Sequence, residues 1–154
     1  MTGVEIRIDV QDDEAQKKLR ALLRKTSDLS PVLSTIGESL LNSTKDRFKS
    51  QTSPEGAKWA AHSPRTIQAR LARSKSPSLT ILRMRGHLIG SITKQVGGDT
   101  LKVGTNKIYG AIHQFGGKAG RGRKVSIPVR PYIGMSADDW IEVNATLDDY
   151  LEIE

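Results

Sequence analysis

From Ser30-Pro31 onward, Leu33, Ile36, Leu40, Leu41 and Phe48 recur on one face of a helix about five turns long. The serine reads as its cap and the proline as a first-turn residue. A helix of that length with a single apolar stripe must lay the stripe against other elements, which restricts the rest of the fold. Three segments have the pattern to provide that cover. Val4, Ile6, Ile8 and Val10 alternate with Glu5, Arg7 and Asp9, as in a half-buried strand. Ile92, Val96, Leu101 and Val103 flank Gly97-Gly98-Asp99, a β-hairpin signal. Ser136 to Glu154 reads as a last helix, with Ser136 and Asp139 at capping-box spacing. Its expected apolar face is Trp140, Val143, Leu147, Tyr150 and Leu151. Residues 1–154 are therefore expected to form one α+β domain, a small antiparallel sheet with the long central helix and the C-terminal helix packed on it.

The remaining segments are short. Asp12-Asp13-Glu14 opens a first helix with acids at its positive end, and Ala15, Leu19, Leu22 and Leu23 share a face. Residues 50–58 read as a loop ending at Trp59, and Ser63-Pro64 as the start of a short helix carrying Ile67 and Leu71. Residues 73–79 read as a mobile polar linker. A short helical piece is expected from Leu82 to Ile89, and another over 107–115, closed by Gly116. Residues 116–124 are expected to be a flexible basic Gly/Arg loop. Val125-Ser126-Ile127 then enters a strand, and Pro128 and Pro131 hold the backbone extended.

Composition sharpens the expectation. Hydrophobic residues make up 36% of 154 and aromatics 5%, so the core is thin and much polar surface is left for water or a partner. There is no cysteine, which excludes disulfides and thiolate metal sites. No apolar run approaches the ~18 residues of a membrane span. The first residues lack a signal peptide's apolar centre, so a soluble cytoplasmic protein is expected.

Charge is unevenly spread. Residues 65–130 carry 14 lysines and arginines against one acid, Asp99, whereas residues 131–154 carry seven acids and no base. Three readings are open: a nucleic-acid surface, a basic face of one subunit meeting an acidic helix of the next, or both segments folding against each other within one chain.

Catalytic chemistry has little to work with. His62, His87 and His113 have no metal-ligand spacing, Asp99 sits in a turn, and Gly116-Gly117-Lys118 lacks the rest of a phosphate loop. No cofactor, metal or enzymatic activity is expected. The Gly/Arg loop, with Lys118, Arg121, Arg123 and Lys124, reads either as a DNA-facing or partner-facing arm or as a solvated loop, and it has no interleaved aromatics to stack on bases.

Four short motifs follow in order. The first is Phe48 with Pro54-Glu55-Gly56-Ala57-Lys58-Trp59. The second is Leu82-Arg83-Met84-Arg85-Gly86-His87-Leu88 with Ser91-Ile92. The third is Val103-Gly104-Thr105-Asn106 with Tyr109 and Ile112-His113-Gln114-Phe115-Gly116-Gly117. The fourth is Ile127-Pro128-Val129-Arg130-Pro131-Tyr132-Ile133-Gly134. In this order and spacing the chain resembles the phage virion morphogenesis family, the tail-completion proteins of tailed bacteriophages and Mu-like prophages. It departs from the pattern at Arg85, where a small hydroxyl residue is expected, and at Gly110, where alanine is usual.

The resemblance implies no catalytic residue. It implies a virion protein of the neck or tail terminus that joins tail to head, as a ring of six copies around the DNA channel. Implied partners are itself and the neighbouring neck, connector and tail-tube proteins, with non-specific contact to passing DNA and no membrane. The stand-alone alternative is a DNA-binding protein using residues 65–130. Lys118, Arg121, Arg123, Lys124, Arg130, Asp148 and Asp149 are the candidate interface or channel residues. Trp59, Gly86, Tyr109, His113, Phe115, Gly116, Gly117 and Pro131 are the motif residues. Of these, Trp59 is expected to anchor its loop on the core, and Tyr109, His113 and Phe115 to pack a short helix on the sheet. Arg130-Pro131-Tyr132 reads equally as an edge gripped by a neighbour or as a structural turn.

Overall fold

The computed structural model describes residues 13–74 and 77–152. The expected strand at Val4–Val10 and two residues of the 73–79 linker, Lys75 and Ser76, lie outside them, as do the side chains of Ala15 and Leu19.

The elements run α1 (Asp13–Ser27), α2 (Ser30–Ser50), α3 (Pro64–Arg73), β1 (Ile92–Gly97), β2 (Thr100–Thr105), α4 (Gly110–Phe115), β3 (Gly117–Ala119), β4 (Val125–Ile127) and α5 (Ala137–Leu151). Each strand pair is a separate antiparallel two-stranded sheet, so the chain is α+β with helices predominating.

The long helix is present, but Ser30 does not cap it. Leu29 holds the cap position, and the Asp28 carboxylate accepts from the Ser30 amide at 3.0 Å. One face of α2 lies across the β1–β2 hairpin. Gly37 permits that approach: a Cβ there would stand 2.7 Å from Lys94 Cδ and 2.9 Å from Leu101 Cδ1. In the hairpin Gly97 pairs with Thr100, leaving the two-residue turn that Gly98-Asp99 predicts. α3 starts at Ser63-Pro64 as expected, and Ser63 caps it by accepting from the Thr66 amide. Ser136 and Asp139 form the expected capping box at α5.

The core is small and lies where α2 meets the loops that follow it. Leu41, Phe48, Trp59, Leu88, Ile92 and Tyr132 are buried together. Phe48 sits between two rings, edge-on to Trp59 and tilted against Tyr132, each with centroids 5.4 Å apart.

Three expectations about elements are corrected. No helix forms from Leu82 to Ile89, because Leu82 and Gly86 take left-handed backbone (φ 59° and 71°); only a 3-10 turn at Ile89–Ser91 follows. The helix expected over 107–115 begins only at Gly110. The last helix packs its Val143–Leu147–Tyr150 side on α2 and α1 rather than on a sheet. Trp140 and Leu151, both expected in that apolar face, are 54% and 40% exposed.

Candidate assembly interface

Residues 128–134 form an extended segment that side chains stitch to everything around it. Gln114 on α4 acts as a clamp: its Oε1 accepts from the amides of Tyr132 and Ile133 at 3.0 and 3.1 Å, and its Nε2 donates to the Ile133 carbonyl at 2.8 Å. Trp59 Nε1 donates to the Pro131 carbonyl at 2.7 Å. Arg47 Nη1 donates to the Gly134 carbonyl at 2.7 Å. Arg130 donates outward from the segment, through Nε to the Ala60 carbonyl (2.8 Å) and Nη2 to the Ala61 carbonyl (2.9 Å).

Beside this segment opens a groove of about 700 Å³, between the start of α3, residues 82–88, α4 and β4. Its bed is apolar, with Leu88 buried and Met84 and Val125 more than half exposed. Its charged groups are cationic: Arg70, Arg85 and Arg130 line it, and among the described residues no aspartate or glutamate does. Arg130 is buried, yet among the described residues its side chain is held by backbone carbonyls alone. Burial, reinforced by the charge of Arg70, lowers its pKa, but a guanidinium stays protonated. The charge is felt by two histidines. Burial, then the charges of Arg70 and Arg130, pushes His62 below its usual value. Burial and Arg130 do the same to His113. Among the described residues His62 Nε2 and His113 Nδ1 are buried without hydrogen-bond partners.

On another face α5 shows the opposite sign. Asp139 points inward and pairs with Arg47 Nη2, both side chains being buried. Burial alone would raise its pKa, but bonds from the Ser136 amide and the Ser43 and Ser136 hydroxyls, with the charge of Arg47, outweigh burial and hold it low. Tyr150 donates to the carbonyls of Lys25 and Asp28 and so ties α5 to the turn between α1 and α2. By helical period the outer face then carries Ile141, with Asp138 and Asp148 beside it and Trp140 on its flank. All four are exposed. Among the described residues, no ion pair joins residues 65–130 to residues 131–154. Direct ion pairing therefore does not join the two blocks among the described residues, although the start of the acidic block, Tyr132 and Ile133, does fold against the basic one through Gln114.

The expected site residues fall into distinct places. Lys118, Arg121, Arg123 and Lys124 are exposed, but their segment is not a shapeless loop: β3 and β4 pair Lys118 with Ser126, and a 3-10 turn spans Arg121–Arg123. Asp148 and Asp149 are exposed on α5. Arg130 is not at the surface, since its guanidinium holds two carbonyls of the loop before α3. Trp59 is buried against Phe48, and Pro131 is half-buried with its carbonyl held by Trp59. Gly86, Gly116 and Gly117 all take positive φ.

Tyr109 and Phe115 do not pack a helix on a sheet. They are 43% and 76% exposed, because α4 has six residues, too few to bury a full face. His113 is half-buried and edge-on to Tyr109. The groove thus brings together Gly86, Tyr109, His113 and Arg130 from separate motifs, and leaves the β3–β4 cations and the α5 acids elsewhere.

Sequence reasoning missed Arg47, Asp139 as an ion-pair partner, Gln114 and Arg70. Among the described residues no cluster of histidine and carboxylate groups could hold a metal ion, and no helix is long and apolar enough to cross a membrane.

Comparison with known proteins agrees with the motif order. The sequence model described as the phage virion morphogenesis family matches residues 10–152. The chain is 46% identical over 67 residues to G protein 2 of the Mu-like prophage FluMu of Haemophilus influenzae, covering 44% of this chain and 49% of that protein. It is 38% identical over 102 residues to the provisionally named capsid assembly protein G of Escherichia phage Mu, covering 65% of each. The matched region thus spans about half of the first relative and just under two thirds of the second. No solved structure matches the chain.

Proposed function

The chain belongs to the phage virion morphogenesis family, and from that premise we propose that it completes the tail and makes it competent to join a DNA-filled head. In this reading it is a structural protein of the neck or tail terminus that acts by association, not catalysis. It forms a ring, of six copies, around the DNA channel and touches the neighbouring neck, connector and tail-tube proteins. The observation that carries the reading is the pair of unneutralised surfaces, a cationic groove and an acid-faced helix, on different parts of one small domain. A protein that works alone has no use for two complementary surfaces that do not pair within it. The name of the phage Mu relative, an assembly protein, points the same way.

The test is genetic and visual. Removing the gene from its phage or prophage is expected to leave separate heads and tails in electron micrographs. Cryo-microscopy of complete particles is expected to place the chain where tail meets head. A normal yield of joined particles without the chain would overturn the reading.

The exposed cations of the β3–β4 hairpin favour DNA as a secondary contact. Replacing Arg121, Arg123 and Lys124 with serine is expected to spare folding and lower the yield of joined particles. Unchanged yield would reduce the hairpin to solvated surface.

A further inference from the structure

The groove and the outer face of α5 have matching deficits. The groove offers an apolar bed with three arginines and, among the described residues, no acid. The outer face of α5 offers Ile141, 67% exposed, and Trp140, 54% exposed, among Asp138, Glu142, Asp148 and Asp149. Arg47–Asp139 is the ion pair that α5 makes among the described residues, and its acid is on the opposite side of the helix. Within one chain the two surfaces do not meet: α5 contributes no residue to the groove and is held on α2 and α1 by its other side.

We infer that the outer face of α5 of one copy seats in the groove of the next copy. Ile141 and Trp140 enter the apolar bed, and the surrounding acids face Arg70, Arg85 and Arg130. The inference deepens the assembly reading above and rests on it. A second copy fits better than nucleic acid, because a phosphate backbone would leave the apolar bed uncovered, whereas an amphipathic acidic helix satisfies bed and arginines together. Since the surfaces differ and lie on one protomer, each copy keeps a free groove and a free helix after pairing. The contact is therefore head-to-tail and propagates to a closed ring or a filament.

The chain contains no cysteine, so introduced thiols report on this contact alone. The full-length double variant Met84→Cys/Ile141→Cys, oxidised at high protein concentration, is expected to give a ladder of disulfide-linked multimers on a non-reducing gel. The two single variants mixed are expected to stop at the dimer, because each carries one thiol. Raised salt should cut the yield several-fold, since exposed charges are screened. Val125→Cys replaces Met84→Cys if that variant fails to fold.

Both double variants remaining monomeric under oxidation would overturn the inference. So would dimers from Ile141→Cys alone, which would mean that α5 meets α5. Protection of the Met84→Cys thiol from alkylation by double-stranded DNA, with no ladder, would make the groove a phosphate site and equally overturn it. Particles that carry the chain at the head–tail junction while the purified variants give no ladder would refute this contact and leave the assembly reading standing. A ladder from a chain absent from particles would do the reverse.

Discussion

Arg47 and Arg130 are each 6% exposed, and the chain treats them in opposite ways. Arg47 lies between α2 and α5 with a carboxylate partner, Asp139, and carbonyls of the extended segment completing its shell. Arg130, on that same segment, has two carbonyls and, among the described residues, no acid, and it lines an open groove together with Arg70. Burying a cation without a counter-charge is costly, and a fold whose only task was stability would have removed it or paired it. The first arginine closes a joint inside the molecule. The second leaves charge directed at whatever enters the groove.

Substitutions can break this contrast, starting with the largest effect. Arg47→Ala strands Asp139 as a buried, unpaired carboxylate and is expected to cost about 3–5 kcal/mol, read as a lower urea midpoint at unchanged slope. Arg130→Met gives up two hydrogen bonds to carbonyls but also removes an uncompensated buried charge, so a loss of about 1–2 kcal/mol is expected. Equal losses in the two variants would erase the distinction.

Acid titration separates the regions without mutation. His62 and His113 are depressed, so the folded state binds fewer protons than the unfolded one, and stability falls as pH drops from 6.5 through their folded values. Asp139 is also depressed; its contribution is intact above 3.8 and is lost as pH falls from there through its folded value. The groove should therefore weaken first and the joint later. In Arg130→Met the higher-pH loss should shrink, because Arg130 is one cause of both histidine shifts. Urea midpoints taken from pH 8 to pH 3 would show whether the two losses are separate.

The smallest effect sharpens the contrast from the side of α5. Trp140→Ala is expected to change stability by no more than about 0.5 kcal/mol, as for a surface position. A loss of several kcal/mol would mean that Trp140 is covered within the monomer.

That last position shows where sequence reading stops. Residue pattern correctly identified α2, the β1–β2 hairpin, α3 and α5, together with the capping box at Ser136, because those depend on residue type at short spacing; the same kind of reading put a cap at Ser30, where Leu29 holds the position. It placed Val143, Leu147 and Tyr150 on the packed side of α5 but added Trp140 and Leu151, which are exposed. Trp140 fits an apolar stripe with Val143 and Leu147, but Asp139 is the residue turned inward, and the reason is Arg47, 92 positions away along the chain. A buried ion pair looks, in sequence, like two solvated charges.

Gly110 misleads in the same manner. As a residue type it weakens a helix, yet a Cβ there would sit 2.6 Å from Thr105 Cγ2 and 2.8 Å from Tyr132 Oη, so close packing requires the glycine. The groove was legible only in fragments. Its residues come from several short motifs, and only the fold shows that Arg70, between them in sequence, belongs to the same wall.

The stitching of residues 128–134 has a geometrical consequence. Gln114, Trp59, Arg47 and Arg130 fix this segment almost entirely through main-chain atoms, and it is the span that leads from the groove wall to the start of α5. The direction in which α5 points relative to the groove is thereby set by hydrogen bonds rather than by loop drift. For any assembly that uses both surfaces, that direction is the bend added per copy, and the bend determines how many copies close a circle. Gln114→Ala would loosen the hinge without touching either surface, and its signature would be a spread of circumferences where the native chain gives one.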